Sequence, residues 1–270
     1  DIEPYPMKSR DEILNEAKSA YESGAFRYCM VLSGRGPSQK RVDAVCDTIQ
    51  EIKEKYPLEV CLSAGLISDS MASQLKESGL NRLNHNLNTS KSRYPKVCTT
   101  HTYEDRLNTL ESANKAGLET CSGLIVGMGE TPEDIIELGQ EFNQLKVPSI
   151  PVNFFLPIEG TPLPASLLIS PEYCIRVLCI LRFLNPSSEI RIAAGREYHL
   201  RSLQSLALYP ANSLFMEGYL NATGDSSKDT LQMIKDSGFE IDSEVSMDAA
   251  LSTPTLKTRS ELKPFENIPS

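Results

Sequence analysis

The sequence predicts a parallel α/β fold of the (β/α)₈ TIM-barrel type, with the first strand missing from this chain. Strand-like and helix-like segments alternate with a repeat of about 30 residues, and such alternation calls for right-handed crossovers between parallel strands. One face of successive strands is polar, which suits a barrel that encloses bound contents better than a packed sheet. Seven strands are counted where a closed barrel has eight, and the chain starts abruptly at Asp1, so the missing strand is expected upstream of it.

The elements follow in order. An amphipathic helix is expected over 9–24 (SRDEILNEAKSAYESG), then a strand over 26–33 (FRYCMVLS) and a helix over 38–56. A strand, LEVCLSAG (58–65), leads to SDSMASQLKESG (68–79), which begins on an N-cap type residue and stops on glycine, as helices do. The same beat continues through RLNHNLNTS (82–90), a helix over 102–117, LETCSGLIVG (118–127) and a helix over 131–145. It ends with the strand SIPVNFFLP (149–157), a helix over 170–184, the strand EIRIAAG (189–195) and a last short apolar run, NSLFMEG (212–218). The stretch from about Asp242 to Ser270 is polar with scattered prolines and reads as a poorly ordered tail.

With 40% hydrophobic and 23% charged residues, the composition is that of a soluble globular protein and argues against disorder throughout. A formal charge of -9 repels polyanions, which makes nucleic acid a poor partner and a small molecule a better one. Neither a basic-then-apolar leader nor a long apolar span is visible, so the chain reads as intracellular. Seven cysteines without a secretory signal do not read as a disulfide framework, which leaves metal binding, redox chemistry or plain burial.

Period-2 sorting of the strands is more informative. One face carries Arg27, Cys29 and Val31; Glu59, Cys61 and Ser63; Asn84, Asn86 and Asn88; Glu119, Cys121 and Gly123; Asn153; and Arg191 with Ala193. Left unpaired inside a protein, such groups would cost roughly 1 to 3 kcal/mol each, more for the charges, so they must satisfy one another or a ligand. Three cysteines from three strands offer soft ligands that suit zinc or an iron–sulfur cluster. The alternative is that each is a small buried hydrophobe. Cys46, Cys174 and Cys179, on helices, and Cys98, in a loop, are assigned structural roles. The three asparagines at period two form a row of paired donors and acceptors suited to ribose hydroxyls or a urea-like group, the alternative being an asparagine-rich turn. His85 falls on the opposite face, and neither His101 nor His199 has spacing that suggests a metal.

These residues resemble biotin synthase, a radical S-adenosylmethionine (SAM) family, from near Pro6 to about Gly238. The matching stretches are RYCMVLSGRGP, EVCLSAG, NHNLNTS, VCTTHTYEDRLNTLE, ETCSGLIVGMGETPED, SIPVNFFLPIEGTPL, RIAAGRE and LYPANSLF. GLIVGMGE also fits the G-x-I-x-G-x-x-E pattern that radical SAM enzymes place beside adenine. The resemblance implies a radical SAM barrel core over 1–241, including a C-terminal biotin/thiamin-synthesis-associated region, with 242–270 as the tail. It implies a sulfurtransferase that converts dethiobiotin to biotin with SAM, a [4Fe–4S] cluster that cleaves SAM and a [2Fe–2S] cluster that supplies the inserted sulfur.

By the same resemblance, Cys29, Cys61, Cys121 and Arg191 would hold the [2Fe–2S] cluster. Asn86 and Asn88 would bind the SAM ribose, Arg106 its carboxylate, and Ile125 with Val126 the adenine, while Asn84 and Asn153 would hold the ureido ring of dethiobiotin. An electron donor such as flavodoxin or ferredoxin, a homodimer, and a cytoplasmic location (the mitochondrial matrix in a eukaryote) are implied as well. The sequence departs from the family twice. The C-x-x-x-C-x-x-C motif for the [4Fe–4S] cluster is absent and belongs before Asp1, so the chain as given is expected to be inactive. Asn88 stands where many relatives have aspartate. The alternatives are another radical SAM barrel enzyme or a non-catalytic ligand-binding barrel.

Overall fold

In a computed structural model, residues 7–156, 169–216, 224–242 and 246–252 are described. The elements run α1 (Arg10–Glu22), β1 (Arg27–Val31), α2 (Gln39–Lys55), β2 (Glu59–Ser63), α3 (Asp69–Glu77), β3 (Arg82–Asn84), α4 (Tyr94–Val97), α5 (Tyr103–Lys115), β4 (Glu119–Cys121) and β5 (Leu124–Val126). There follow α6 (Pro132–Gln144), β6 (Ser149–Phe154), α7 (Pro171–Leu184), β7 (Glu189–Ile192), α8 (Arg196–Leu200), a 3₁₀ turn, α9 (Gln204–Ala207), β8 (Ser213–Leu214), α10 (Ser227–Asp236) and α11 (Met247–Ser252). Every strand pairing with a described register is parallel, as the alternation requires. The described residues form two compact units, one from residues up to His85 with Glu104–Thr120 and the segment from Ile241, the other from Asn86–Tyr103 with Cys121–Glu240.

In the first unit β1 pairs with β2, and β2 with β3. Met30, Val60, Leu62 and Leu83 turn to one side and pack with Val42, Ile49 and Ile52 of α2 and Leu75 of α3 in one buried cluster. Hydrophobic burial of that face drives the unit together and leaves the alternate residues on the opposite side. The helix starts follow local chemistry: Ser9 and Glu12 cap α1 reciprocally, and Ser68 accepts from Met71 N at the start of α3.

In the second unit β6 is central, pairing with β4, β5 and β7, and β7 pairs with β8. All six residues of β6 are buried. Thr131 and Asp134 form a capping box at the start of α6. Arg182 of α7 donates to the carbonyls of Pro186, Ser188 and Pro210 and to Asn212 Oδ1, tying α7 to the segments before β7 and β8.

The structure corrects three expectations. Eight strands are present among the described residues, because the single strand expected over 118–127 is two, β4 and β5, broken at Ser122 and Gly123. The asparagine row is not one strand: β3 ends at Asn84, and Asn88 adopts a left-handed conformation with φ 69°. The reason is local. The main chain of Asn88 both donates to Gly123 O and accepts from Ile125 N, so it turns toward the break instead of extending β3. Finally, Met247–Ser252, within the expected tail, is helical; 243–245 and 253–270 lie outside the described residues.

Candidate active site

In the first unit, Cys29 and Cys61 are direct register partners across β1 and β2. Both alternate with core residues, so they share the face turned away from α2 and α3. One layer below, Arg27 pairs with Glu59 at 2.6 Å, its side chain only 8% exposed. Asn84, at the end of β3, is register partner of Ser63. Arg106 lies on α5 and is half-buried.

In the second unit, Cys121 is fully buried on β4. Its Sγ lies 3.6 Å from Ser149 Oγ, and Arg191 Nη1 approaches it at 3.9 Å. Three further contacts fix that guanidinium: Nε donates to Ser213 Oγ at 3.1 Å, Nη2 pairs with Glu189, and Cζ lies 5.5 Å from the Phe215 ring centroid. These contacts set a positive charge beside the buried sulfur.

The break between β4 and β5 organises the rest of this unit. Gly123 N donates to Asn86 Oδ1 at 3.0 Å and Gly123 O accepts from Asn88 N at 2.9 Å, while Ile125 N donates to Asn88 O at 2.9 Å. Both ribose candidates are therefore locked onto the strand that carries the adenine candidates. Ile125 is half-buried and in register with Asn153. Val126 is fully buried on the opposite side, so a role for it beside adenine would run through its main chain. Asn153 donates through Nδ2 to Leu124 O and accepts at Oδ1 from Ala194 N, both at 3.3 Å, which fixes the plane of its amide.

Glu130 closes the glycine loop by accepting from Gly127 N at 2.7 Å and Met128 N at 2.8 Å. Arg93 donates to Met128 O, and Ser90 to Asp134, so the loop is also held from the segment that follows Asn88.

Among the described residues, no three His, Cys, Asp or Glu side chains gather as a metal-holding group. The four sequence-predicted cluster residues stand as two pairs, Cys29 with Cys61 and Cys121 with Arg191, each inside its own unit. The donor chemistry fits a soft, anionic cluster: the buried thiols of Cys61 and Cys121 and the half-buried thiol of Cys29, with an arginine beside Cys121 to balance charge.

Cys98, assigned a structural role from sequence, sits with its Sγ 3.5 Å from His101 Nδ1 and from Thr100 Oγ1. Partial burial opposes its ionisation, but hydrogen bonds from the Thr100 hydroxyl, the main chain of Thr100 and His101, and Tyr94 outweigh it and lower its pKa. Cys174 is the opposite case, pushed up to about 12 by burial, and burial also raises Cys46. Cys98 is therefore expected to be alkylated by iodoacetamide well before Cys46 and Cys174, and at lower pH than an ordinary thiol, because the thiolate is the nucleophile. Peptide mapping at limiting reagent checks this; equal labelling of Cys98 and Cys174 would refute it.

Residues 1–142 match the Radical SAM superfamily, and residues 151–240 match the Biotin and Thiamin Synthesis associated domain. The chain is 52% identical over 251 residues to a biotin synthase of Acaryochloris marina, covering 93% of this chain and 72% of that protein. It is 54% identical over 241 residues to one from Magnetococcus marinus, covering 89% and 75%, and 47% identical over 251 residues to one from Bacillus subtilis, covering 93% and 75%. The chain belongs to the biotin synthase family.

Among solved structures, methylornithine synthase superposes with a TM-score of 0.75 at 20% identity over 93% of this chain and 78% of that one. An FeFe-hydrogenase maturase from Carboxydothermus hydrogenoformans gives 0.68 at 16% identity over 87% and 59%. At such identities the likeness speaks for the fold, and it agrees with the barrel class expected from sequence. As a biotin synthase family member, the chain is a radical SAM enzyme of sulfur insertion, with dethiobiotin as substrate and biotin as product. Membership of the superfamily implies SAM and a [4Fe–4S] cluster. No helix among the described residues is long and apolar enough to cross a membrane.

Proposed function

We propose that Cys29, Cys61, Cys121 and Arg191 are the ligands of a [2Fe–2S] cluster that serves sulfur insertion into dethiobiotin. The observation that carries this reading is the 3.9 Å approach of the Arg191 guanidinium, held in place by Glu189 and Ser213, to the buried Cys121 sulfur, which sets a fixed positive charge beside a soft donor. Cys29 and Cys61, adjacent on one face of β1 and β2, supply the remaining thiolates. Closure of the two pairs on one cluster is part of the proposal. When bound, the clusters supply the electron that cleaves SAM and the sulfur that is inserted.

The chain's own residues bind and orient. Asn86 and Asn88, tied to Gly123 and Ile125, present their amides to the ribose of SAM, and the Ile125 side chain, opposite the core, covers adenine. Arg106 holds the SAM carboxylate. Asn153, its amide plane fixed by Leu124 O and Ala194 N, together with Asn84 engages the ureido group of dethiobiotin. An electron donor such as flavodoxin or ferredoxin delivers the electrons, and the enzyme works as a homodimer in the cytoplasm, or the mitochondrial matrix of a eukaryote.

Anaerobic incubation of the chain with iron and sulfide, followed by metal analysis and absorption spectroscopy, tests the ligand set. Iron and sulfide equal to one [2Fe–2S] cluster per chain are expected, and their loss in a Cys29→Ala, Cys61→Ala double variant. A full complement in that variant would sink the assignment.

A further inference from the structure

We infer that Arg82 is a positioning residue of the cluster site, holding positive charge beside the thiolates of Cys29 and Cys61 so as to retain the cluster and raise its reduction potential. The inference rests on the reading of those two cysteines as ligands. Its basis is a single row across three parallel strands: Cys29 is the register partner of Cys61, and Cys61 is the register partner of Arg82. Register partners on parallel strands project to the same face. The neighbour Leu83 confirms the sense of the alternation, since it is fully buried against the helices with Val60 and Leu62, which puts Arg82 on the cysteine side.

Period-2 sorting of the asparagine row, begun at Asn84, left Arg82 out. The signal was present nonetheless: Arg82 stands two residues before Asn84, on the same face of β3.

A salt-bridge role alone accounts poorly for this arginine. Its side chain is 7% exposed, whereas that of its partner Glu119 is 52% exposed. Nε and Nη2 of Arg82 both donate to the same oxygen, Glu119 Oε2, at 3.1 and 2.6 Å. A carboxylate that keeps most of its water gives little back for the desolvation of a guanidinium, so the pair as a stabilising device is weak. The carboxylate does fix where the guanidinium sits.

The second unit repeats the pattern independently. Arg191 has a side chain 4% exposed, is clamped by the less buried Glu189, and approaches the sulfur of Cys121. A buried arginine, anchored by a glutamate and set beside a candidate thiolate ligand, thus occurs in each unit. Arginine suits the place because its guanidinium is always charged and more weakly hydrated than an ammonium. Iron–sulfur potentials respond to net charge and to hydrogen bonds on sulfur, so a fixed cation stabilises the reduced, more negative state and strengthens retention of the anionic cluster.

The test compares the unaltered chain with Arg82→Met, Arg82→Lys and Glu119→Gln, all reconstituted anaerobically with iron and sulfide. Three quantities are read: the midpoint potential by mediated titration, the rate of iron loss to a chelator, and the urea midpoint of the apoprotein. Arg82→Met is expected to shift the potential downward and to lose iron several-fold faster. Arg82→Lys keeps the charge and should recover most of both. Glu119→Gln removes the negative charge of the clamp and should shift the potential upward, a change of opposite sign that stays readable even if Arg82→Met fails to fold. A purely structural clamp predicts instead a lower urea midpoint for both Arg82→Met and Glu119→Gln with no change in potential, and that result would overturn the inference. Absence of a [2Fe–2S] cluster from the unaltered chain, or its full retention in Cys61→Ala, would bring down the ligand assignment and the inference with it, and is distinguished by occurring without any change at Arg82.

Discussion

Gly123→Ala is expected to cost about 3 kcal/mol of stability, the upper part of the range for overpacking a well-filled interior, and to abolish SAM binding. A Cβ at this position would lie 1.8 Å from the carbonyl oxygen of Pro151, with Pro151 Cγ at 2.7 Å. The obstructing oxygen is main chain of β6, the central strand of its unit, so no rotamer change relieves the clash. The same glycine donates to Asn86 Oδ1 and accepts from Asn88 N, which means that any shift that makes room for a methyl also displaces both proposed ribose ligands. Urea unfolding and calorimetric titration with SAM read the two effects. A wild-type midpoint in the variant would show that β4 and β6 can separate at little cost, and the tight packing seen here would lose its significance.

Cys121→Ala in the reconstituted protein is expected to remove most of the [2Fe–2S] iron, because it deletes a thiolate, whereas Arg191→Met should retain iron and alter the absorption spectrum more gently. Methionine is close to arginine in length but leaves Glu189 and Ser213 without their guanidinium contacts, so a modest fall in stability accompanies the spectral change. SAM binding should survive both substitutions, since its proposed contacts at Asn86, Asn88 and Ile125 belong to the other side of the strand break. Should Cys121→Ala keep a full complement of [2Fe–2S] iron, the cysteine would be a small residue packed against Ser149 and nothing more.

The fold class and the faces of the candidate ligands were legible for one physical reason: both are written in short periods. Alternation of strand and helix gave the parallel α/β class, and period two put Cys29, Cys61, Cys121 and Arg191 on polar faces, where the structure has Cys29 in register with Cys61 and Arg191 beside Cys121. The start of α3 on Ser68 could be read locally because a cap is satisfied within three residues. The resemblance to biotin synthase likewise needed only the chain itself.

What escaped the sequence depends on how the chain folds back on itself, in two of three cases through contacts between residues far apart along it. Period two extended β3 through Asn88, but hydrogen bonds to Gly123 and Ile125, more than thirty residues on, end the strand and turn Asn88 left-handed. No local pattern reveals that Gly123 is crowded by Pro151, so LETCSGLIVG read as one strand instead of two. Cys98 read as structural because the hydrogen bonds that lower its pKa arise from how the loop folds on His101 and Tyr94, not from spacing. Composition and periodicity thus determined which residues face inward and what chemistry they offer. Tertiary structure alone decided which of them touch, because register across strands and the partners of a buried amide are set by packing energies summed over the whole sheet.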